Sequence, residues 1–289
     1  MTQDSFQELQ SRDQIEELLA VLDTDFPHSL HYSFFIKILQ AWKDQDTNIL
    51  LQVLVPNPHD LRDGTSLTIF AMTPTSAKIY MMYSLEASCE KLRRALFSTN
   101  KIDWTSTHCE WEAIHEKHLP VLREVLESKQ CGGQYLPHYQ YYMTVEQGLN
   151  VELRESSEVQ LVELTEEHAP LVDNHWEYQT LETINYIKGC IQYNFGFGLR
   201  QTNQSELIAW IAQTHYGSGG MLYTRENHRK RGYAEMLVRK FTKHLAKSNE
   251  VPSIVVGSDN TASIRLNEKI GYRRVCKVYW VVFEPFENH

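Results

Sequence analysis

The chain has 289 residues, 42% of them hydrophobic and 22% charged, with a formal net charge of −9. That is enough apolar material for two domains with cores of their own. The acidic balance excludes a general nucleic-acid binder, and no apolar run reaches membrane-spanning length. Five cysteines (Cys89, Cys109, Cys131, Cys190 and Cys276) are scattered and odd in number. With no C-x-x-C pair they read as reduced thiols of an intracellular protein, so neither a disulfide framework nor a metal is expected, and Cys276 reads as a buried apolar residue.

In chain order, apolar spacing at Leu9, Ile15, Leu18, Leu19 and Leu22 predicts a helix over residues 1–22. A second helix is expected over 30–44, with Phe34, Ile38, Leu39 and Trp42 inward. Strand-like runs follow at 50–55, 67–72 and 78–83, with Asp63-Gly64 and Thr73-Pro74 as turn signals. A helix at 86–97, a short strand at 102–104, a helix at 109–127 and an aromatic strand at 134–144 complete the first half. A linker is expected over 146–157, which divides the chain into an N-terminal α/β domain, 1–150, and a C-terminal domain, 151–289.

The second half holds the most informative stretch, Arg229-Lys230-Arg231-Gly232-Tyr233-Ala234. It follows a short strand, 219–224, and opens an amphipathic helix, 233–246, with Met236, Leu237, Phe241 and Leu245 on one face. The first turn of a helix has N–H groups without partners and a positive dipole end. A glycine there lets an anion approach the backbone, and the two arginines add charge-assisted donors. The ligand this suggests is a pyrophosphate. The stretch is neither a dinucleotide fingerprint nor a P-loop. A solvated basic turn is the plain alternative, and Arg239, Lys240 and Lys243 read as a solvated helix face. Downstream, a strand at 251–257 leads to Asn260, a short helix at 264–270, Gly271-Tyr272 and a last strand through 275–283.

The Arg-x-x-Gly-x-Ala turn, followed by Asn260-x-x-Ser263-x-x-Leu266-x-x-x-Ile270-Gly271-Tyr272, resembles the paired signatures of the GNAT acyltransferase superfamily. The segment from His168 to Tyr178, Tyr186-Ile187-Lys188-Gly189-Cys190-Ile191-Gln192 and Leu207-Ile208-Ala209-Trp210 resemble glycine N-acyltransferases, with similarity clear over 159–272. The resemblance implies a mixed α/β (α+β) GNAT fold in the C-terminal half. It also implies acyl-CoA as co-substrate, and transfer of its acyl group to the amino group of glycine or another small amine. The element order of the first half is that of a GNAT domain, so that half reads either as a diverged GNAT-like copy or as an unrelated α/β domain. Ser84-Leu85-Glu86 stands where a phosphate turn would be, so no cofactor is expected there. Vertebrate members of the family carry mitochondrial targeting sequences. Here residues 1–25 hold Asp4, Glu8, Asp13, Glu16 and Glu17 with Arg12 as the only base, so the expected location is cytoplasmic.

A thioester is already activated, so the chemistry needs positioning, a base and oxyanion donors, but no covalent nucleophile. In GNAT folds two parallel strands splay and free their amides. Tyr223 and Thr224 are the expected backbone contacts to pantetheine and oxyanion, Arg229 to Ala234 the pyrophosphate cradle, and Asn260 and Asn267 the pantetheine partners, unless they only cap the helix. The family's base position is Asn227 here, and Glu226 lies one place earlier. Glu226 is the first candidate base, and His215 and then His228 follow. The family's general-acid position is Asn267. Trp176 and Tyr178 are candidates for the acceptor or acyl pocket. Two other functions stay open: an acetyltransferase acting on a protein or polyamine, and an acyl-CoA-binding protein without catalysis. Neither a membrane nor a nucleic-acid partner is expected, and the sequence leaves the oligomeric state open.

Overall fold

A computed structural model of the chain describes residues 4–105, 109–180 and 183–285. The chain forms two compact units: residues up to 138 together with those from 276 on, and residues 139–275. The first contains β1 (Gln7–Glu8), α1 (Arg12–Leu22), α2 (Leu30–Gln45), β2 (Leu50–Val55), β3 (Ser66–Ala71), β4 (Lys78–Tyr83), α3 (Glu90–Ser98), β5 (Cys109–His115) and α4 (Leu119–Ser128). Next come β6 (Cys131–Tyr142), in which the unit boundary falls, and α5 (Val145–Leu149). The second unit continues with β7 (Val159–Glu163), α6 (Ala169–Asp173), α7 (Thr183–Tyr193), β8 (Gly196–Gln201), β9 (Leu207–Gln213), β10 (Gly219–Thr224), α8 (Tyr233–Lys247), β11 (Ser253–Gly257) and α9 (Thr261–Ile270). The last strand, β12 (Arg273–Pro285), again contains a unit boundary.

Each unit repeats one order: a strand, two helices, three strands, a helix, a strand, a helix and a strand. In the first unit the strands lie β1-β2-β3-β4-β5-β12-β6. In the second they lie β6-β11-β10-β9-β8-β7. The neighbour of β5 is therefore the last strand of the chain, and the neighbour of β11 is the end of β6. The first four strands of each unit are antiparallel, and the parallel pairs are β4 with β5 and β10 with β11.

Sequence periodicity placed α2, β2 and β4 closely and β3 within a residue. It failed in four places, each for a physical reason. Residues 7–8 are a strand paired with β2, and the first helix begins only at Arg12, where Ser11 and Gln14 form a reciprocal cap. Within α2, Phe35 and Ile36 are fully buried while Phe34 and Ile38 are only half-buried. Residues 102–104 are irregular, and 109–115 are a strand. Residues 111–115 are buried on both faces, which removes the alternation that identifies a strand, and Glu and Ala bias the local reading to helix. Finally, the expected linker contains α5, whose Thr144 and Gln147 cap each other.

β5 also bends. Its register against β12 shifts between Tyr279 and Val281, and Ala113 takes a φ of 47°. Glu112 at this irregularity is buried, and burial pushes its carboxyl up to about 8 against a lowering hydrogen bond from Glu110.

In the second unit α8 carries Leu237, Val238, Phe241 and Leu245 onto the sheet core with Phe197, Ile211 and Ile254. Each such side chain contributes about 1.5–3 kcal/mol on burial. The basic residues of α8 are not a solvated face. Arg239 bonds Glu235 and the Glu152 carbonyl, Lys240 lies over the Phe197 ring and Lys243 bonds the Val151 carbonyl. Glu235 is buried and gathers Arg154, Arg239 and Lys269. Burial raises its carboxyl pKa, but the Lys269 and Arg239 hydrogen bonds and the surrounding charges hold it below the ordinary value. This contribution is present above the unfolded-state pKa and is lost as pH falls through the folded one. Glu235→Gln is expected to destabilise the chain by about 1–2 kcal/mol at pH 7, since two of the three cations are half-exposed, and by less at acid pH. Urea melts at both pH values check this.

Candidate functional site

The strands β10 and β11 run parallel but pair only at Gly219 and Ile254. A Cβ on Gly219 would lie 2.6 Å from Ile254 Cδ1 and 2.9 Å from the Phe241 ring, so a side chain here would force those two to shift. Beyond it the strands part. β10 stays on β9, with Tyr223 opposite Trp210 and Thr224 opposite Ala209, after a bulge between Gly220 and Tyr223. Met221 in the bulge has a φ of 54°. The Arg225 N–H donates to the Ile208 carbonyl on β9. Strand alternation then turns the amide of residue 224 away from β9 into the gap, and that of residue 223 toward β9. Thr224 is thus the expected backbone contact whose amide faces the opening. Its Oγ1 is buried without a hydrogen-bond partner.

β10 ends in a one-turn 3-10 segment, Glu226–His228, and the chain then passes Lys230 (φ 63°) and Gly232 (φ 83°) into α8. Gly232 is the N-cap and supplies no side chain to the helix. A Cβ built on it meets nothing within 4 Å. The first turn of α8 thus has no side-chain cap from its N-cap residue, and the space beside that residue is open. Two other helix starts are capped by side chains. Asn260 Oδ1 accepts the Ser263 N–H at the start of α9. At the start of α3, the helix of the first unit that corresponds to α8, the Glu86 carboxylate accepts the Lys91 N–H at 2.8 Å.

The loop cations are not equivalent. Arg229 is held back: its Nε donates to the Thr224 carbonyl at 3.1 Å, and its guanidinium lies 5.6 Å from the Tyr223 ring centre. Lys230 and Arg231 are exposed, Tyr233 is buried beneath the turn and Ala234 is half-buried. Asn260 is committed to capping. Asn267 is fully buried, and its Nδ2 donates to the Ser263 carbonyl. Its Oδ1 has no partner. Buried polar atoms are rarely left so, and two of them, Thr224 Oγ1 and Asn267 Oδ1, belong to the strand and helix around the gap. They fit a ligand that brings hydrogen-bond donors, such as the amides of a pantetheine arm.

Glu226 lies in the 3-10 turn after β10. Its side chain is 78% exposed, with only a 3.5 Å contact to Arg229. His228 is half-buried in the same loop. His215 is different. It is fully buried in the turn before β10, with Nδ1 2.9 Å from the Tyr186 hydroxyl. Tyr186 stacks on Trp176 at 5.7 Å, and Tyr178 meets Trp176 edge-on from an exposed position. Trp176, Tyr186, Met221 and Tyr223 pack onto one hydrophobic cluster with Trp210. The structure thus joins Trp176 and His215 through Tyr186, beside the bulged strand. Sequence reading missed Tyr186, His175 and Trp210. His175 packs against both Trp210 and Tyr223. The His-Trp pair in the family-like segment was the available signal.

Residues 196–281 match the FR47-like protein family, and residues 7–125 match a domain of unknown function, DUF5645. No curated protein sequence matches the chain. A Drosophila protein of known X-ray structure is 19% identical with a TM-score of 0.88, over 98% of this chain and 99% of that one. A tandem GNAT protein from the clavulanic acid biosynthesis pathway, 10% identical, aligns over 96% and 97% with a TM-score of 0.55. A GCN5-related N-acetyltransferase-like protein from Streptococcus suis, 12% identical, aligns over 94% and 99% with a TM-score of 0.52. The chain has the GNAT fold. The tandem match spans both units, which is consistent with the first being a diverged GNAT-like copy. Among the described residues no helix of this GNAT-fold chain is long and apolar enough to cross a membrane.

Proposed function

We propose that the chain is an N-acyltransferase that moves an acyl group from acyl-CoA to the amino group of glycine or another small amine. The observation that carries this reading is the gap between β10 and β11, which leads from the Met221 bulge to the uncapped, open start of α8 at Gly232. The pyrophosphate would lie against the first-turn amides of α8, with Lys230 and Arg231 beside it. The pantetheine arm would run along the gap, meeting the Thr224 amide and hydroxyl and Asn267 Oδ1. The thioester would reach the bulge, and the acyl or acceptor pocket would be formed by Trp176 and Tyr186, with Tyr178 at its rim.

The reaction needs the acceptor ammonium to lose a proton. The freed amine then attacks the thioester carbon, the C–S bond breaks, and the thiolate takes a proton from solvent. His215 is better placed for the first step than Glu226, because it is buried, oriented by Tyr186 and beside the bulged strand rather than the phosphate turn. General bases contribute about 10²–10⁴-fold. His215→Asn is therefore expected to lower kcat at least about 100-fold with little change in CoA affinity, and Glu226→Gln to change kcat by less than about threefold. Free-thiol release from acetyl-, benzoyl- and long-chain acyl-CoA against a panel of glycine, other amino acids and polyamines measures both. The reverse pattern would assign the base to Glu226. Saturable CoA binding with no thiol release on any pair would make the protein a binder without catalysis.

A further inference from the structure

The first unit contains a second cluster of chemistry-bearing side chains that acyl transfer does not use. His28, His115 and Cys276 each bring one potential ligand atom, and these atoms lie within 4.8 Å of one another. Three separate elements supply them: the turn before α2, the end of β5 and the strand β12. Val278 pairs with His115, and the Glu116 N–H donates to the Lys277 carbonyl, so the β5–β12 ladder itself brings Cys276 beside His115. His28 Nδ1 stands 3.0 Å from His115 Nε2, with the two rings inclined at 56°.

We propose that His28, His115 and Cys276 bind a zinc-like divalent cation, with a fourth position open to water. Two imidazoles and a thiolate suit a borderline-soft metal, and three protein ligands with one open position is a recognised zinc arrangement. Zinc–nitrogen bonds of about 2.0–2.1 Å put two tetrahedral nitrogens about 3.3 Å apart, a few tenths of an ångström beyond the separation here. The surrounding charge also fits. Asp25, Glu116 and Lys117 act on the Cys276 sulfur. Two carboxylates against one ammonium leave one negative charge, to which ligation adds the thiolate. Asp25 is oriented by the Tyr83 hydroxyl at 2.7 Å and Lys117 Nζ at 3.0 Å. His28 is exposed while the other two ligands are buried, which gives the ion a path in.

Binding changes protons in a defined way. The Lys117 N–H donates to His115 Nδ1 at 3.1 Å, so the neutral ring carries its proton on Nε2. Ligation by Nε2 moves that proton to Nδ1 and costs two hydrogen bonds, the one from the Lys117 N–H and the one to His28 Nδ1, against three metal–ligand bonds. The thiol proton leaves to solvent, so one proton is released per ion bound. The wide spacing of residues 28, 115 and 276 hides the trio from any reading of motif spacing.

The test is cobalt and zinc titration of the chelator-treated full chain. The expected result is one Co2+ per chain with a thiolate-to-cobalt charge-transfer band, displaced by Zn2+. His28→Ala, at the exposed ligand, should weaken Zn2+ binding at least tenfold in competition with a chromophoric chelator. Cys276→Ser should abolish the charge-transfer band, and circular dichroism reports whether it folds. Cys190→Ser, at a thiol of the other unit, should leave both readouts unchanged. No stoichiometric binding, or His28→Ala binding as tightly as the parent, would overturn the proposal and leave a hydrogen-bonded histidine pair.

Discussion

Replacing Gly232 by Val is expected to raise the Kd for coenzyme A by about 10- to 100-fold, the loss of one charge-assisted hydrogen bond to phosphate. Gly232 has a φ of 83°, and a Cβ there meets no protein atom within 4 Å. The space a side chain would take is therefore open, and the proposed function places the pyrophosphate there. Valine also carries backbone strain of about 1–3 kcal/mol, because a β-branched residue resists positive φ. Gly232→Asn separates the two effects, since Asn tolerates the left-handed region while filling the same space. Calorimetric titration with CoA should show weakened binding in both variants, with a cooperative urea melt retained. Full affinity in the valine variant would remove the turn from the site. Full affinity in the asparagine variant alone would assign the loss to backbone conformation.

Glu112→Gln should stabilise the chain at alkaline pH by on the order of 3–5 kcal/mol, the free-energy equivalent of raising a carboxyl by several pKa units. The Glu112 carboxyl is pushed up to about 8 by burial beside the β5 irregularity. A group whose folded-state pKa exceeds its unfolded value contributes stability that is complete below the unfolded pKa. That contribution is lost as pH rises through the folded one. The parent should therefore lose stability between about pH 4.5 and 8, whereas the glutamine variant should show a flatter profile. Denaturant midpoints at pH 5 and 8.5 are the measurement. Parallel curves for the two proteins would show that Glu112 is ionised when folded.

How far the site was legible in the sequence varies residue by residue. The strand, turn and helix around Gly232 follow from local rules: a glycine turn, a short apolar strand, then a 3.6-residue repeat. β10 lies at 219–224 as expected, and α8 ends one residue later than predicted. Asn260 could be placed at a helix start from sequence, but whether it caps or binds depended on where its Oδ1 points. In the sequence Glu226, a strand-end acid, ranks ahead of His215, a turn histidine. Burial separates them, and burial is a property of neighbours distant in the chain. Lys240 and Lys243 read as solvated because the Phe197 ring and Val151 carbonyl they meet come from other segments, while Arg239 meets Glu235 one turn back on its own helix and the Glu152 carbonyl from elsewhere.

The element order was nearly complete in the sequence, because amphipathic periods, caps and turn residues act over a few positions. Strand pairing was not. The last strand of the chain lies beside β5, and the end of β6 lies beside β11, since a backbone ladder is blind to sequence distance and rewards whichever edge is presented. The same holds for the two sites. A helix start with an open glycine is a local feature and can be read from six residues. The gap between β10 and β11, the Tyr186–His215 pair and the trio of His28, His115 and Cys276 exist only once segments tens to hundreds of residues apart are packed together.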